Sequence, residues 1–508
     1  MIYIFTVLII LGLIIFDHFY WKRRNLPPGP CPLPILGNTL SLALNPPGYQ
    51  PLLEWKKKYG PVYTFWFGFQ PTICITDIKI IKETIIDDSE TFSGRVTLND
   101  LIKIVRGGHF GVIETEGNLW LEQKRFILFT FRNFGMGKNL MQEKILDEVV
   151  FLIDTLKVAA ASETVVGIQG EIDRAVGSII NSLLFGYRYE GEKIQEFTKL
   201  KSSLNKHMRF VMEPLTTMAM MRPLSIGKLP IFKPKLKRLI SNMNELYDYF
   251  EIQINKHQQK LDSEVAEEAS DESTDFCEAF LREMMKQQKS SDNQKNHSFS
   301  FQQLRNVCLD LWVAGLETTT NTISFAILYF IHYSEIRAKI YHELDTVVGN
   351  DRLITNNDKC NLSYLNAFIS ETQRIANLLP INFSRKTIKD TYINGFYVPK
   401  GSSVVPQISC ILFDDTIFPD PFTFNPERFI DTETKKYKKI DEFIPFSVGK
   451  RQCMGEGLAK MELFLIISNL FNQFKIYPED EKHLPSLEKR FGFALQPQPF
   501  KCKVESRF

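Results

Sequence analysis

The first 34 residues read as a membrane anchor followed by a stiff break, with a buried core helix as the alternative for the apolar run. Ile2 to Phe16 is apolar except for Thr6, and Phe19, Tyr20 and Trp21 extend the run past Asp17 and His18. That is about the 20 residues a helix needs to cross hydrocarbon. Lys22, Arg23 and Arg24 come directly after it, then Leu26-Pro27-Pro28-Gly29-Pro30, Pro32 and Pro34. A cleaved leader carries its positive charge ahead of the apolar run and a small-residue cleavage site behind it; here the charge lies behind and no such site is visible. The pattern predicts a transmembrane signal-anchor over 1–21, a basic and proline-rich hinge over 22–37, and one further domain over 38–508. The positive-inside rule places everything after Lys22 in the cytosol. The prolines form a stiff break that detaches the anchor from the rest of the chain.

Beyond residue 37 no segment offers 18 uninterrupted apolar residues, so the body reads as a soluble domain held on a membrane. Its charge is nearly balanced: 61 Lys plus Arg against 59 Asp plus Glu gives a net +2, which argues against a polybasic nucleic-acid binder. The eight cysteines are scattered without a C-x-x-C pair, so neither a zinc site nor a disulfide scaffold is signalled. Val62 to Phe67, a Gly68-Phe-Gln-Pro71 turn and Thr72 to Ile75 predict a β-hairpin, and Thr391 to Gln407, with turns at Asn394-Gly395 and Lys400-Gly401, a second small β region. Asp147 to Leu156, Glu171 to Phe185 and Leu236 to Leu261 repeat apolar residues at three- and four-residue spacing. Ser300 with Gln303 forms a capping box opening a helix that runs to about Tyr333. The fold class is therefore mainly α with a small β region, and Asp262 to Asp275 reads as an acidic, solvated loop.

The chemistry is concentrated in Phe446-Ser-Val-Gly449-Lys-Arg451-Gln-Cys453-Met-Gly455. Five spaced positions match by chance in roughly one of several thousand chains of this size. A cysteine thiolate can be an axial ligand of haem iron and needs positive potential nearby. The helix pattern from Gly455 begins directly after Cys453 and supplies unpaired N–H groups and a favourable dipole. Gly449 and Gly455 allow a sharp turn and close approach of backbone to a flat ring, Phe446 can cover the sulfur, and Arg451 offers a fork donor for a carboxylate. A lone cysteine would more readily be inert and buried. The surrounding residues favour the ligand.

The loop resembles the haem-binding signature of the cytochrome P-450 family, the haem-thiolate monooxygenases. The resemblance extends from the apolar anchor and Pro-Pro-Gly-Pro hinge to the C-terminus and is strongest to the microsomal branch. It implies a cytochrome P-450 fold preceded by one N-terminal transmembrane helix. It also implies heme b (iron protoporphyrin IX), with Cys453 as the thiolate ligand and O2 as co-substrate.

A second segment, Ala314-Gly315-Leu316-Glu317-Thr318-Thr319, lies in the middle of the helix that Ser300 caps. The Thr318 hydroxyl can bond the Ala314 carbonyl and loosen the helix, and Gly315 removes bulk beside it, leaving a groove for dioxygen and water. Similarity to the family's Ala/Gly-Gly-x-Asp/Glu-Thr-Thr motif assigns Thr318 and Glu317 to proton delivery. Glu371-Thr-Gln-Arg374 and Phe424-Asn-Pro-Glu-Arg428-Phe429 resemble the family's Glu-x-x-Arg and Pro-Glu-Arg-Phe elements, so Glu371, Arg374 and Arg428 are assigned a structural network. For the propionates the resemblance points to Arg451, Arg385 and the Trp120–Lys124 pair. Lys124 stands where the family commonly has Arg and keeps charge without bidentate geometry, so Arg125 is an alternative.

No glycine-rich nucleotide motif is present, so electrons come from a partner. The resemblance implies NADPH used only through a flavoprotein reductase, with cytochrome b5 as a second donor. Lys124, Arg125, Arg132 and Lys138, together with Lys435-Lys436-Tyr437-Lys438-Lys439, offer a basic docking face or simply a solvated charge run. Other partners are membrane lipid and a lipophilic small molecule, and not nucleic acid; the location is the endoplasmic reticulum, single-pass. A haem-thiolate isomerase or dehydratase acting on peroxides and a non-catalytic haem carrier are the alternatives. Candidate pocket segments are Arg95 to Val112, Met208 to Leu215, Leu309 to Val313, Leu378 to Phe383 and Gly492 to Leu495, where Phe110, Trp312 and Phe493 suit either an apolar cavity or core. With a cytosolic body, the acceptor sequences at Asn296, Asn361 and Asn382 stay unmodified. Peptide mapping of protein from eukaryotic cells checks this, and a glycan on any of the three reverses the topology.

Overall fold

The computed structural model describes residues 21–34, 36–135, 139–264, 273–289, 298–492 and 494–508, with isolated positions before 21. Most of the expected 1–21 anchor, most of the acidic loop at 262–275, Lys138, Asn296 and Phe493 lie outside the described residues. Among the described residues no helix is long and apolar enough to cross a membrane. The chain is mainly helical with small sheets, as its periodicity predicts. It divides into two compact units, each discontinuous in sequence: 1–96 with 379–423 and 440–453, and 97–378 with 424–439 and 454–508.

The first unit is built on strands β1 (Val62–Phe67), β2 (Gln70–Ile75), β3 (Gly94–Arg95), β4 (Arg385–Lys386) and β7 (Ser403–Pro406), in the sheet order β1-β2-β7-β4-β3. β5 (Thr391–Ile393) and β6 (Phe396–Val398) form a separate hairpin. The hairpin of β1 and β2 pairs Val62 with Ile75 and Phe67 with Gln70. The predicted β region at 391–407 divides between two sheets. Asn394 and Gly395 take φ of 47° and 81°, a turn that closes β5 onto β6. Ser403–Pro406 is buried throughout and instead pairs in parallel with β2. Ile73, Ile75, Ile81, Ile85, Phe92, Val404 and Ile411 fill the core of this unit. The proline-rich segment lies along β1 and is not a free tether. Thr64 N–H donates to Pro28 O at 2.9 Å, and a Cβ on Gly29 would stand 1.9 Å from Thr64 O. Prolines lose their donors but keep carbonyls that an edge strand can use.

The second unit carries helices α1 (Gly117–Asn133), α2 (Asn139–Ala161), α3 (Ile168–Phe185), α4 (Lys193–Val211), α5 (Lys233–Glu264), α6 (Phe301–His332), α7 (Ser363–Ala376) and α8 (Glu456–Gln473), among shorter ones. Two small sheets, β8 (Phe474–Pro478) with β11 (Cys502–Ser506) and β9 (Lys489–Arg490) with β10 (Gln496–Pro497), complete it. The Ser300 hydroxyl accepts from Gln303 N–H at 3.2 Å and starts α6 where the capping pattern places it. α6 packs against α3, α5, α7 and α8, so most of its circumference is buried. Phe330 of α6 stacks on Phe471 of α8 at 3.7 Å, and the Phe368 ring of α7 stands edge-on to it at 6.3 Å. Trp312 is fully buried and packs against Phe250 of α5, so this candidate pocket aromatic is core.

Burial is interrupted on α6 at Val313, Ala314, Gly315 and Thr318. On the buried side, Glu462 of α8 is only 3% exposed, and burial pushes its carboxyl up to about 8 against the opposing hydrogen bond of Thr319. The folded chain therefore holds a proton that the unfolded chain has given up, and this contribution to stability falls as pH rises from the ordinary carboxyl range to about 8. Above that it is level. Denaturation midpoints measured from about pH 5 to about pH 9 should show that decline, and Glu462→Gln should flatten it.

Candidate active site

The loop before α8 belongs to the first unit up to Cys453. It folds back on itself: Cys453 N–H donates to Phe446 O at 3.0 Å and Gln452 N–H to Gly449 O at 3.0 Å. Gly449 has φ of 74°, and a Cβ there would lie 2.1 Å from Ile85 O, so no other residue fits. Gly455 differs from the expectation. Its φ is −88° and open space surrounds its Cβ direction, so no turn or neighbour in the protein demands glycine. Cys453 is exposed, as are Cys31 and Cys360 outside this loop, whereas Cys74, Cys277, Cys308, Cys410 and Cys502 are buried and burial pushes their thiols up. Those five remain protonated and inert.

Cations gather in the same unit. Arg385 of β4 is 2% exposed and pairs in register with Arg95 of β3. Its Nη2 donates to Ser447 Oγ at 3.1 Å and Val448 O at 2.6 Å, while Nη1 is buried without a hydrogen-bond partner among the described residues. Burial, and then the Arg95 charge, lower its guanidinium to about 9. Arg95 Nη1 donates to Ser384 O at 3.1 Å, and Arg451 Nε to Ser93 O at 2.7 Å. A buried guanidinium with a spare donor is stabilised beside an anion. The donor set therefore fits a group carrying carboxylates, as haem does. Sequence reading placed Arg95 only at the edge of a pocket segment; its role emerges from strand register, which no local motif encodes.

In the second unit, Trp120 and Lys124 share one face of α1, with Lys124 Nζ 5.2 Å from the indole centroid. Lys124 is half-buried and Arg125 exposed, as spacing of four rather than five residues on a helix dictates. Thr318 Oγ1 donates to Ala314 O at 2.7 Å, the local bond predicted from its position. Gly315 has another reason than an open groove: a Cβ there would lie 3.1 Å from Ile180, so it lets α3 approach α6. Glu317 Oε1 accepts from Lys201 Nζ of α4 at 2.5 Å, and the same ammonium lies 3.0 Å from Asp173 Oδ1 of α3. Burial opposes the Lys201 charge, but Glu317 and Asp173 hold it above its ordinary value. Two turns before Glu317 on α6, Asp310 binds Arg106 Nη2 at 2.8 Å and the N–H groups of Val112 at 2.9 Å and Ile113 at 3.1 Å, fastening part of the 95–112 pocket segment to α6. Gly111 is required there, since a Cβ would meet Asp310 at 2.3 Å. Neither Lys201 nor Asp310 belongs to a motif.

The structure brings Glu371, Arg374 and Arg428 together. Arg374 forks onto Glu371 with Nε–Oε2 at 2.7 Å and Nη2–Oε1 at 2.8 Å, both side chains fully buried. Arg428 Nε approaches Oε1 at 3.3 Å, and Asn425 N–H donates to the same oxygen at 2.8 Å.

The description "Cytochrome P450" is that of the family model matching residues 27–504. The chain belongs to the cytochrome P450 family. It is 33% identical over 483 residues to cytochrome P450 2A9 of Mesocricetus auratus, covering 94% of this chain and 93% of that protein. It is 33% identical to cytochrome P450 2C29 of Mus musculus and 32% identical to cytochrome P450 2C8 of Homo sapiens, each covering 94% of both chains. The protein is accordingly a cytochrome P450 monooxygenase, a haem-thiolate enzyme that uses O2. Removing Glu371 strands two guanidiniums in the interior, at a cost of about 3–5 kcal/mol. Glu371→Ala is expected to purify without haem and to melt early, as read by the haem absorbance per protein and by thermal unfolding.

Proposed function

We propose that this cytochrome P450 inserts one oxygen atom of O2 into a lipophilic organic substrate, using two electrons that pass from NADPH through a flavoprotein reductase. Cytochrome b5 is a second electron donor. The 1–21 segment anchors the enzyme as a single span in the endoplasmic reticulum, with the catalytic body in the cytosol. The observation that carries the reading is the exposed Cys453 thiol on a backbone-locked loop, next in sequence to the start of α8.

Haem with a thiolate ligand supplies the binding and reductive activation of dioxygen. Cys453 is the ligand, and the N-terminal dipole of α8 favours its thiolate form. Gly449, Gly455 and Phe446 accommodate the flat ring. Arg385, Arg451 and Arg95 receive carboxylates in the first unit, which accounts for the unpartnered Nη1 of Arg385; Lys124, flanked by Trp120, serves the same purpose in the second. Thr318 holds water near Ala314 through its hydroxyl, and Glu317 supplies the proton-carrying group next to it. The tract at 435–439 is exposed and supports docking of an acidic partner, alongside the exposed Arg125 and Arg132.

The decisive measurement is the difference spectrum of reduced protein with carbon monoxide. The unaltered protein is expected to give the far red-shifted band of a thiolate-ligated haem, and Cys453→Ser to lose it while keeping its fold. Folded, haem-loaded protein without that band would overturn the assignment of Cys453. Consumption of NADPH that depends on added reductase, and slows as salt rises, separates a monooxygenase from a peroxide isomerase.

A further inference from the structure

Glu317 is held from behind. Its Oε1 binds Lys201 Nζ at 2.5 Å and its Oε2 accepts from Gln496 Nε2 at 3.2 Å, while Lys201 also reaches Asp173 Oδ1 at 3.0 Å. The three charged side chains come from α6, α4 and α3 and are 8%, 12% and 20% exposed. One cation thus serves two carboxylates, and the cluster carries one excess negative charge in a largely buried place. A purely structural ion pair would be neutral. Two carboxylates sharing a site favour taking up one proton between them. Burial, opposed by Lys201, raises the Asp173 carboxyl, and the Glu317 charge adds to that rise. Asp173 and Lys201 also line a cleft of about 760 Å³ between α2, α3 and α4, whose wall includes Thr155, Ser202 and Asn205. The cluster therefore has one end at water and the other one residue from Thr318.

We propose that Lys201 and Asp173 are positioning residues that connect Glu317 to the water of this cleft. Lys201 remains an ammonium throughout and shifts between the two carboxylates. A proton from solvent forms the O–H bond of Asp173 while Lys201 neutralises Glu317. When Lys201 turns to Asp173, that O–H bond breaks and the proton passes through water to Glu317, beside Thr318. The use made of that proton rests on the monooxygenase reading; the shared cation does not.

Infrared spectroscopy of the full-length, haem-loaded protein at neutral pH tests the shared cation directly. Lys201→Met is expected to give a new protonated-carboxyl band that disappears in Lys201→Met/Glu317→Gln, and Lys201→Arg is expected to lack it. Lys201→Met without that band overturns the proposal. With reductase and NADPH alone, Lys201→Met and Asp173→Asn should divert a several-fold larger share of O2 to hydrogen peroxide instead of water. They should also enlarge the solvent isotope effect on NADPH consumption, and Lys201→Arg should restore both. An Asp173→Asn variant with the unaltered partition and isotope effect overturns the connection to the cleft. The infrared readout needs neither substrate nor turnover, so its failure is distinguishable from failure of the monooxygenase reading.

Discussion

The second unit is organised around a carboxylate that has no access to water. Glu371 accepts from the fork of Arg374, from Arg428 and from the backbone N–H of Asn425, and both it and Arg374 are completely buried. An unpaired charge at that depth would cost more than any one apolar contact returns, so the arrangement exists whole or not at all. Its geometric consequence is that α7 and the segment around Asn425 are fixed to each other. α7 also carries Phe368, which meets Phe330 of α6 and Phe471 of α8 in one aromatic cluster. The ion network thereby sets the frame in which α6 presents Ala314 and Thr318.

Charge is treated differently in three places, and the differences separate scaffold from chemistry. Around Glu371 two guanidiniums converge on one fully buried carboxylate. Arg385 stands in register with Arg95 on paired strands, and its Nη1 is a buried donor without a hydrogen-bond partner among the described residues. Such a donor is complementary to a cofactor with carboxylates. Around Glu317 a single ammonium is divided between two carboxylates, leaving a deficit of one cation.

Much of the architecture was legible from short-range rules. The periodicity of 147–156, 171–185 and 236–261 lies inside helices 139–161, 168–185 and 233–264, of which the first runs more than a turn past its pattern at each end, because tertiary packing carries helices past their strongest pattern. Ser300 and the Asn394-Gly395 turn appear where their local chemistry puts them. The Cys453 loop, Thr318 and the Glu371 network were legible as motifs because each depends on fixed spacing in the chain. Reasons for individual glycines were less accessible. Gly449 is required by the carbonyl of Ile85, more than 360 residues earlier, and Gly315 by Ile180 of another helix, not by a groove.

The sequence by itself determined the element types, the helix that carries Thr318, and which of the eight cysteines lies in a loop resembling the family's haem-binding signature. These come from local hydrogen bonding, burial periodicity and chain spacing, which act over a few residues. Only the tertiary structure decided that Arg95 joins Arg385, that Trp312 is core, that the prolines lie along β1, and that Lys201 shares its charge between Glu317 and Asp173. Each of these depends on residues distant in sequence meeting through strand pairing or side-chain contact. There the cost of an unmatched charge or a misplaced atom is set by the neighbours and not by the residue itself.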